Sequence, residues 1–374
     1  MERLSGFGRS AQVIGMDVDR GALKAVELSK SRGNYILRHV GYHRLPRGAI
    51  TEGEVADLDL LAAEIKEFWS SHSFKGKTVV LGVANQRIIV RLLNFPRMEA
   101  EDLRSAIRFE AQDHIPMPLE EAIMDYVVLG PQEESSDLER ILVVAAHKGM
   151  IERYISAVRA GGLRPAGIDV KPLSLTRSTL PEAFFDEGAT LLLDVSIELS
   201  NLVVVQGGSP TLTRFISMGL DDLVRAVSEA ADLPEDEAEK QALDPRAKLG
   251  YDPANTGEED TENPEEDDFD PALVYDVRRG LEEAVQTLAE DVQRSIEYHH
   301  SQPKSREVSR VLVSGEGALV AGFDGYLGEL LGVLTHCGNP VARLAANRSN
   351  VSDEQLGVME PVLAVAFGLA MEEQ

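Results

Sequence analysis

The chain has 374 residues, with 63 Asp or Glu against 37 Lys or Arg and a formal charge of −26. Such a balance removes long-range attraction to nucleic acid or anionic lipid. The one cysteine, Cys337, excludes an internal disulfide and reads as a core thiol in a reducing compartment.

The longest apolar run, residues 361–371, is shorter than the ~20 residues that span a bilayer. The start of the chain has no apolar core of leader length. The expectation is a soluble cytoplasmic protein of two or three domains, meeting a membrane only through a partner.

Residues 1–11 read as a flexible tail. In residues 13–28 apolar positions alternate on both sides of a polar turn, Val13, Ile14 and Met16 before it and Leu23, Ala25, Val26 and Leu28 after it. That is a β-hairpin pattern. Asp17 ends its first strand, Asp19, Arg20 and Gly21 make the bend, and Lys24 opens the second strand. Turn N–H groups beside a cation are one way to hold phosphate; a plain surface hairpin is the other reading. A third strand is expected over 35–42. Residues 57–71 form an amphipathic helix with Leu60, Leu61, Ile65 and Phe68 on one side.

Strands follow at 78–83 and 88–95, then a helix over 99–114 with acids in its first turn, stopping near Pro116. Strands at 122–129 and 140–146 and a helix at 148–160, ended by Gly161-Gly162, complete this stretch. A strand at 163–170 and a helix at 172–179 come next. Residues 191–208 repeat the opening pattern: a strand into Asp194, a small polar turn with Ser196 and Ser200, and a second strand. A third strand at 211–217 and a helix at 220–231 follow.

Residues 232–271 are acidic and broken by prolines, and nine of the fourteen from 257 to 270 are Asp or Glu. Such a run repels itself and lacks apolar surface, so it reads as a solvated insert, with one short helix at most over 235–247. Val277, Leu281, Val285, Leu288 and Val292 mark a long core helix over 274–300. The adjacent His299 and His300 point different ways on a helix and read as a solvent-facing pair. A strand at 308–313, a turn with Gly315, Glu316 and Gly317, a helix reaching 331 and a closing helix at 361–371 end the chain.

Two acid-tipped hairpins followed by a glycine turn suggest an internal duplication around a cleft. The order resembles the actin and sugar-kinase-like ATPases: α/β, duplicated ribonuclease-H-like lobes with two phosphate loops and an adenosine loop. Phe95-Pro96-Arg97-Met98 and residues 101–129, EDLRSAIRFEAQDHIPMPLEEAIMDYVVL, resemble the signature of the PilM family. These are FtsA-like cytoplasmic proteins of type IV pilus assembly. The resemblance implies a first lobe over 12–76 and 163–188 and an extra subdomain over 77–162. It places a second lobe over 189–231 and 272–374.

The resemblance also implies partners. A PilN-like inner-membrane protein would lay its cytoplasmic N-terminal peptide in a groove of the extra subdomain, near Arg91, Phe95, Arg108, Phe109, Ile115, Pro116 and Tyr126. Other platform or motor proteins and a homo-oligomer or ring belong to the same picture; nucleic acid does not. Phe109, Ile115 and Tyr126 also have a plainer reading as core.

For cofactors it implies ATP and Mg²⁺. Asp17 and Asp194 would face the metal through water, with Asp19, Arg20, Gly21, Lys24, Ser196 and Ser200 around the phosphates. Gly315, Glu316 and Gly317 would lie by the adenosine. The family's glycines are replaced at Asp19 and Ser196, and its three adenosine-turn glycines stand here as Ser314-Gly315-Glu316. A carboxylate against a triphosphate is repulsive, so ATP binding and a purely structural cleft both stay open. Efficient turnover is not expected, because no residue stands out to position a nucleophile. The alternatives are an ATP-hydrolysing or sugar-kinase-like enzyme, or a GspL-like secretion scaffold, which normally continues into a membrane span that this sequence does not show.

Overall fold

The computed structural model describes residues 14–31, 34–115, 117–132, 135–185, 187–250 and 270–371. The tail expected over 1–11, Pro116 and the densest part of the acidic run, 251–269, lie outside them.

Two sheets follow one plan. In the first, Ile14–Val18, Ala22–Ser31 and Asn34–Arg44 run antiparallel, and Thr78–Val83 and then Arg164–Val170 join on the other side of Ile14–Val18 in parallel. In the second, Ala189–Val195, Ser200–Gln206 and Ser209–Ile216 run antiparallel, with Val308–Ser314 and Leu334–Cys337 added in parallel. The founding strands, Ile14–Val18 and Ala189–Val195, are buried along their whole length. Asp17 stands opposite Lys24 and Asp194 opposite Asn201. The repeat is therefore one of position as well as pattern.

Helices cover the sheets because their apolar residues recur on one side. Leu58–Ser71 starts where the Asp57 carboxylate accepts from the Leu60 amide. It packs Leu61, Ile65 and Phe68 with Met150, Tyr154 and Val158 of Lys148–Ala160 in the core of the first sheet. Asp353–Ala370 brings Leu363, Ala366 and Phe367 against Val26, Leu37 and Val40 of the same sheet. Each fully buried Leu or Phe of this kind is worth about 2 kcal/mol. Leu220–Ala231 and Pro271–Ser301 cover the second sheet, with Val277, Leu281, Val285, Leu288 and Val292 all in its core.

A third, smaller sheet places Ser135–His147 between Ile89–Pro96 and Ala122–Gln132, all antiparallel. Ala100–His114 rests Leu103 and Ile107 on its Phe95, Ile141 and Val143.

Strand pairing draws several boundaries differently from the sequence. Thr78–Val83 belongs to the first sheet, and Lys148–Ala160 shares that sheet's core, so the inserted unit is shorter than 77–162. The end of the chain also returns there: Leu344–Asn347 pairs with Asn34–Arg44. The segment 272–374 thus does not lie wholly with the second sheet. Part of the acidic insert is folded. Glu235–Ala242 and the short 3₁₀ turn Pro245–Ala247 bury Ala238, Ala242, Ala247 and Leu249 in the second core. Cys337 is exposed on an edge strand rather than a core thiol. His299 is buried and held by the Arg306 carbonyl, so the histidine pair does not face solvent together.

Candidate functional site

The carboxyl ends of the central strands converge, the position where open α/β sheets hold ligands. Asp17 comes from Ile14–Val18, Asp194 from Ala189–Val195 and Ser314 from Val308–Ser314. Lys171 opens Lys171–Thr179 directly after Arg164–Val170. Two lysines and four carboxylates, Lys24 and Lys171 with Asp17, Asp19, Asp194 and Glu316, are all buried here.

The lysines divide the acids between them. Lys171 Nζ is 2.9 Å from Asp17 Oδ1 and 3.3 Å from Asp19 Oδ2. Lys24 Nζ is 2.7 Å from Glu316 Oε1 and 3.5 Å from Asp17 Oδ2. Burial alone would lower Lys24, but Glu316, then Asp17 and Asp19, hold its pKa well above the lysine value. Lys171 is likewise raised by Asp17 and Asp19 against its burial. Burial works against an ionised Asp19 too, yet Lys171, Lys24 and the Arg20 amide hold its carboxyl at about 2. Glu316 goes the other way: burial, which its pairing with Lys24 only partly offsets, pushes it up to about 7.

Asp194 is satisfied differently, by neutral donors. Ser196 Oγ and Asn201 Nδ2 each donate to Oδ2 at 2.8 Å, and Ser314 Oγ donates to Oδ1 at 3.2 Å. Burial raises its pKa, against the pull of Lys24 and Lys171. The two turns meet where Gly21 faces Ile197 and Arg20 pairs with Glu198 at 3.8 Å, so both hairpin tips belong to one cluster.

The remaining expected cleft residues serve the scaffold. Gly21 presses on the facing turn, where a Cβ would sit 2.6 Å from Ile197 Cδ1. Arg20 reaches across to Asp221 and Glu198 and lines cavities of about 450 Å³ and 360 Å³ between the sheets. Ser200 Oγ donates to the Met218 carbonyl. Gly315, at φ +86°, and Gly317 lie against Val195, where a Cβ on either would come within 2.4 Å of it.

Lys171 and Asn201 were not singled out from the sequence, and Ser314 was marked only as a departure from glycine. The signal for Lys171 was its place after a strand of the parallel part of the sheet. Arg44 and Arg47 were also missed; they pair with Glu239 and Glu235 of the folded part of the insert.

On the third sheet the expected contact residues separate. Ile115 is core, packed with Ala111 and Ala145, and exposed Arg91 borders a shallow depression of about 10 Å³ over Ile115, Val143 and Ala145, with Ile89 and Leu93 beside it. Phe95 is core, and Tyr126 packs against the same cluster. Arg108 and Phe109 are on the outer side of their helix, Phe109 74% exposed. Val127 and Val128, on the strand Ala122–Gln132 at the edge of this sheet, are also exposed. No described helix is long and apolar enough to cross a membrane.

Solved structures of similar shape include a PilM–PilN type IV pilus biogenesis complex, 26% identical with a TM-score of 0.80, covering 96% of this chain and 98% of that one. MreB5 of Spiroplasma citri bound to ADP shares the fold at 11% identity and a TM-score of 0.52, covering 96% and 95%. The cell division protein FtsA of Bacillus subtilis is 20% identical over 229 residues, 54% of this chain, which spans about half of that relative's length. The fold is therefore the actin-like one. The sequence model for the type IV pilus assembly protein PilM matches residues 15–252 and 273–374, and the chain belongs to that family.

Proposed function

We propose that this protein is an actin-like scaffold of the type IV pilus assembly platform, and that it binds the cytoplasmic N-terminal peptide of a PilN-like inner-membrane protein. The observation that carries this is the match, along nearly the whole length of both chains, to the PilM of a PilM–PilN complex. The groove beside Arg91 and Ile115 is the candidate seat. It offers apolar side chains, a cation at its rim and the outer edge of a three-stranded sheet. An extended peptide gains main-chain hydrogen bonds and side-chain pockets from such a surface. Membrane attachment follows from the partner.

Calorimetric titration of the chain with that peptide tests the reading. Binding in the micromolar range is expected, and Arg91→Glu, which reverses an exposed charge, should weaken it about tenfold, or 1.4 kcal/mol. No binding at tens of micromolar by the unmodified chain would sink it.

A catalytic role has less support. Relatives of this fold bind nucleotide, MreB5 with ADP among them. In this chain the cleft residues fit a Mg²⁺-nucleotide poorly. Asp17, the expected metal ligand, faces two ammonium groups. The two phosphate turns touch through Gly21 and Ile197. Among the described residues no three acids, histidines or cysteines are grouped to hold a metal ion. The fit of these residues supports a reading in which the protein acts by binding its partner.

A further inference from the structure

We infer that the Asp19 and Glu316 side chains close the cleft in place of a nucleotide, Asp19 as a fixed anion and Glu316 as the buried partner of Lys24, so that the two lobes stay together without ATP. This goes beyond the scaffold reading and stands apart from it, since peptide binding on the third sheet can succeed or fail independently.

A phosphate held between two hairpins needs turn N–H groups, a cation and space. Each is already used here. The Asp19 carboxylate accepts from the Arg20 amide at 2.8 Å and meets Lys171 at 3.3 Å. It thus takes a turn amide and a cation, the partners that an anionic ligand would want. Glu316, from the second lobe, takes Lys24 of the first at 2.7 Å, with both groups buried. Space between the turns is filled where Ile197 meets Gly21.

The relative strengths favour this internal arrangement. Other cross-lobe pairs, Arg44 with Glu239 and Arg47 with Glu235, have substantially exposed partners, and such pairs hold little in water. The Lys24–Glu316 pair is screened from water and salt. A nucleotide phosphate reaching for Lys24 would have to displace Glu316 and would still meet Asp19. The 450 Å³ cavity beside them does not compensate, because Asp221, Glu235, Asp236, Glu239 and Glu316 outnumber Arg20, Arg44 and Arg47 on its walls.

The test compares ATP–Mg²⁺ binding by the full chain, its Glu316→Gln variant and a doubly substituted Asp19→Gly/Glu316→Gly variant, using equilibrium dialysis with thermal melting as a second readout. Glu316→Gln keeps the shape of the side chain and frees Lys24, so it guards against a double variant that fails to fold. Expected are no melting shift for the unmodified chain at about 1 mM nucleotide, a concentration at which a tight ligand of the native state would raise the melting temperature, and at least about tenfold tighter binding in the folded variants. Tight ATP binding by the unmodified chain would overturn the inference. So would a folded Glu316→Gln variant that binds no better than the unmodified chain.

Discussion

Glu316 carries the clearest consequence at the scale of single residues. Its folded pKa, pushed up to about 7 by burial, exceeds its ordinary value of 4.5. Between those two values the folded chain binds more protons than the unfolded one, so stability is greatest on the acid side and falls as pH rises from about 4.5 to 7. At 1.36 kcal/mol per pH unit the full effect is on the order of 3 kcal/mol. Urea midpoints measured across that window should decline in the unmodified chain relative to Glu316→Gln, in which this contribution is gone. A difference that grows in the opposite direction would mean that the Lys24 pairing outweighs burial. Asp19 has the reverse sign. Its stabilising contribution is present above its ordinary value of 3.8 and is lost as pH falls toward about 2, outside the Glu316 window.

The residues that could be read from sequence were those marked by local pattern. Asp17 and Asp194 stood out because in both hairpins an apolar strand runs into an acid at a polar turn. Lys171 and Asn201 did not, since a lysine before a proline or an asparagine inside an apolar strand acquires meaning only from what lies opposite. Glu316 was visible as a departure from a glycine pattern, but its pairing with Lys24 crosses from one lobe to the other and has no local signature.

Among elements, Asp353–Ala370 is the most sensitive to a small change. Its Gly368 faces the Ser174 carbonyl so closely that a Cβ would lie 1.8 Å from that oxygen. In an exposed helix Gly→Ala gains about 1 kcal/mol of helix propensity. Here the clash with backbone should cost 1–3 kcal/mol or more, so packing decides the sign. Gly368→Ala should therefore lower the chemical denaturation midpoint; an unchanged or raised midpoint would show that the helix can shift away from Lys171–Thr179.

Element identity was legible wherever period and length agreed, as in Leu58–Ser71 and Pro271–Ser301. Glu235–Ala242 falls where one short helix was allowed for, but its burial was obscured because its core side is made of alanines, Ala238 and Ala242, among acids. Thr78–Val83 reads as a strand from its apolar run, but the sheet it joins is chosen by partners at Ile14–Val18 and Arg164–Val170. Leu344–Asn347 is four residues long and pairs with a strand near the other end of the chain. No local window holds that information.

At the scale of the whole molecule, two duplicated lobes enclose a buried ionic cluster, and a small third sheet, joined to the first core through Val90, Leu142 and Ala146, carries a shallow apolar groove and the exposed Phe109, Val127 and Val128. A closed cleft and an open groove suit a scaffold that receives a membrane partner on one face. Hydrogen–deuterium exchange on the full chain, with and without the N-terminal peptide of a PilN-like protein, tests this division of labour most directly. Slowed exchange confined to Ile89–Pro96, the end of Ala100–His114 and adjoining residues of the third sheet is the expected result. Protection centred on the Asp17 and Asp194 turns, or none anywhere at saturating peptide, would contradict it.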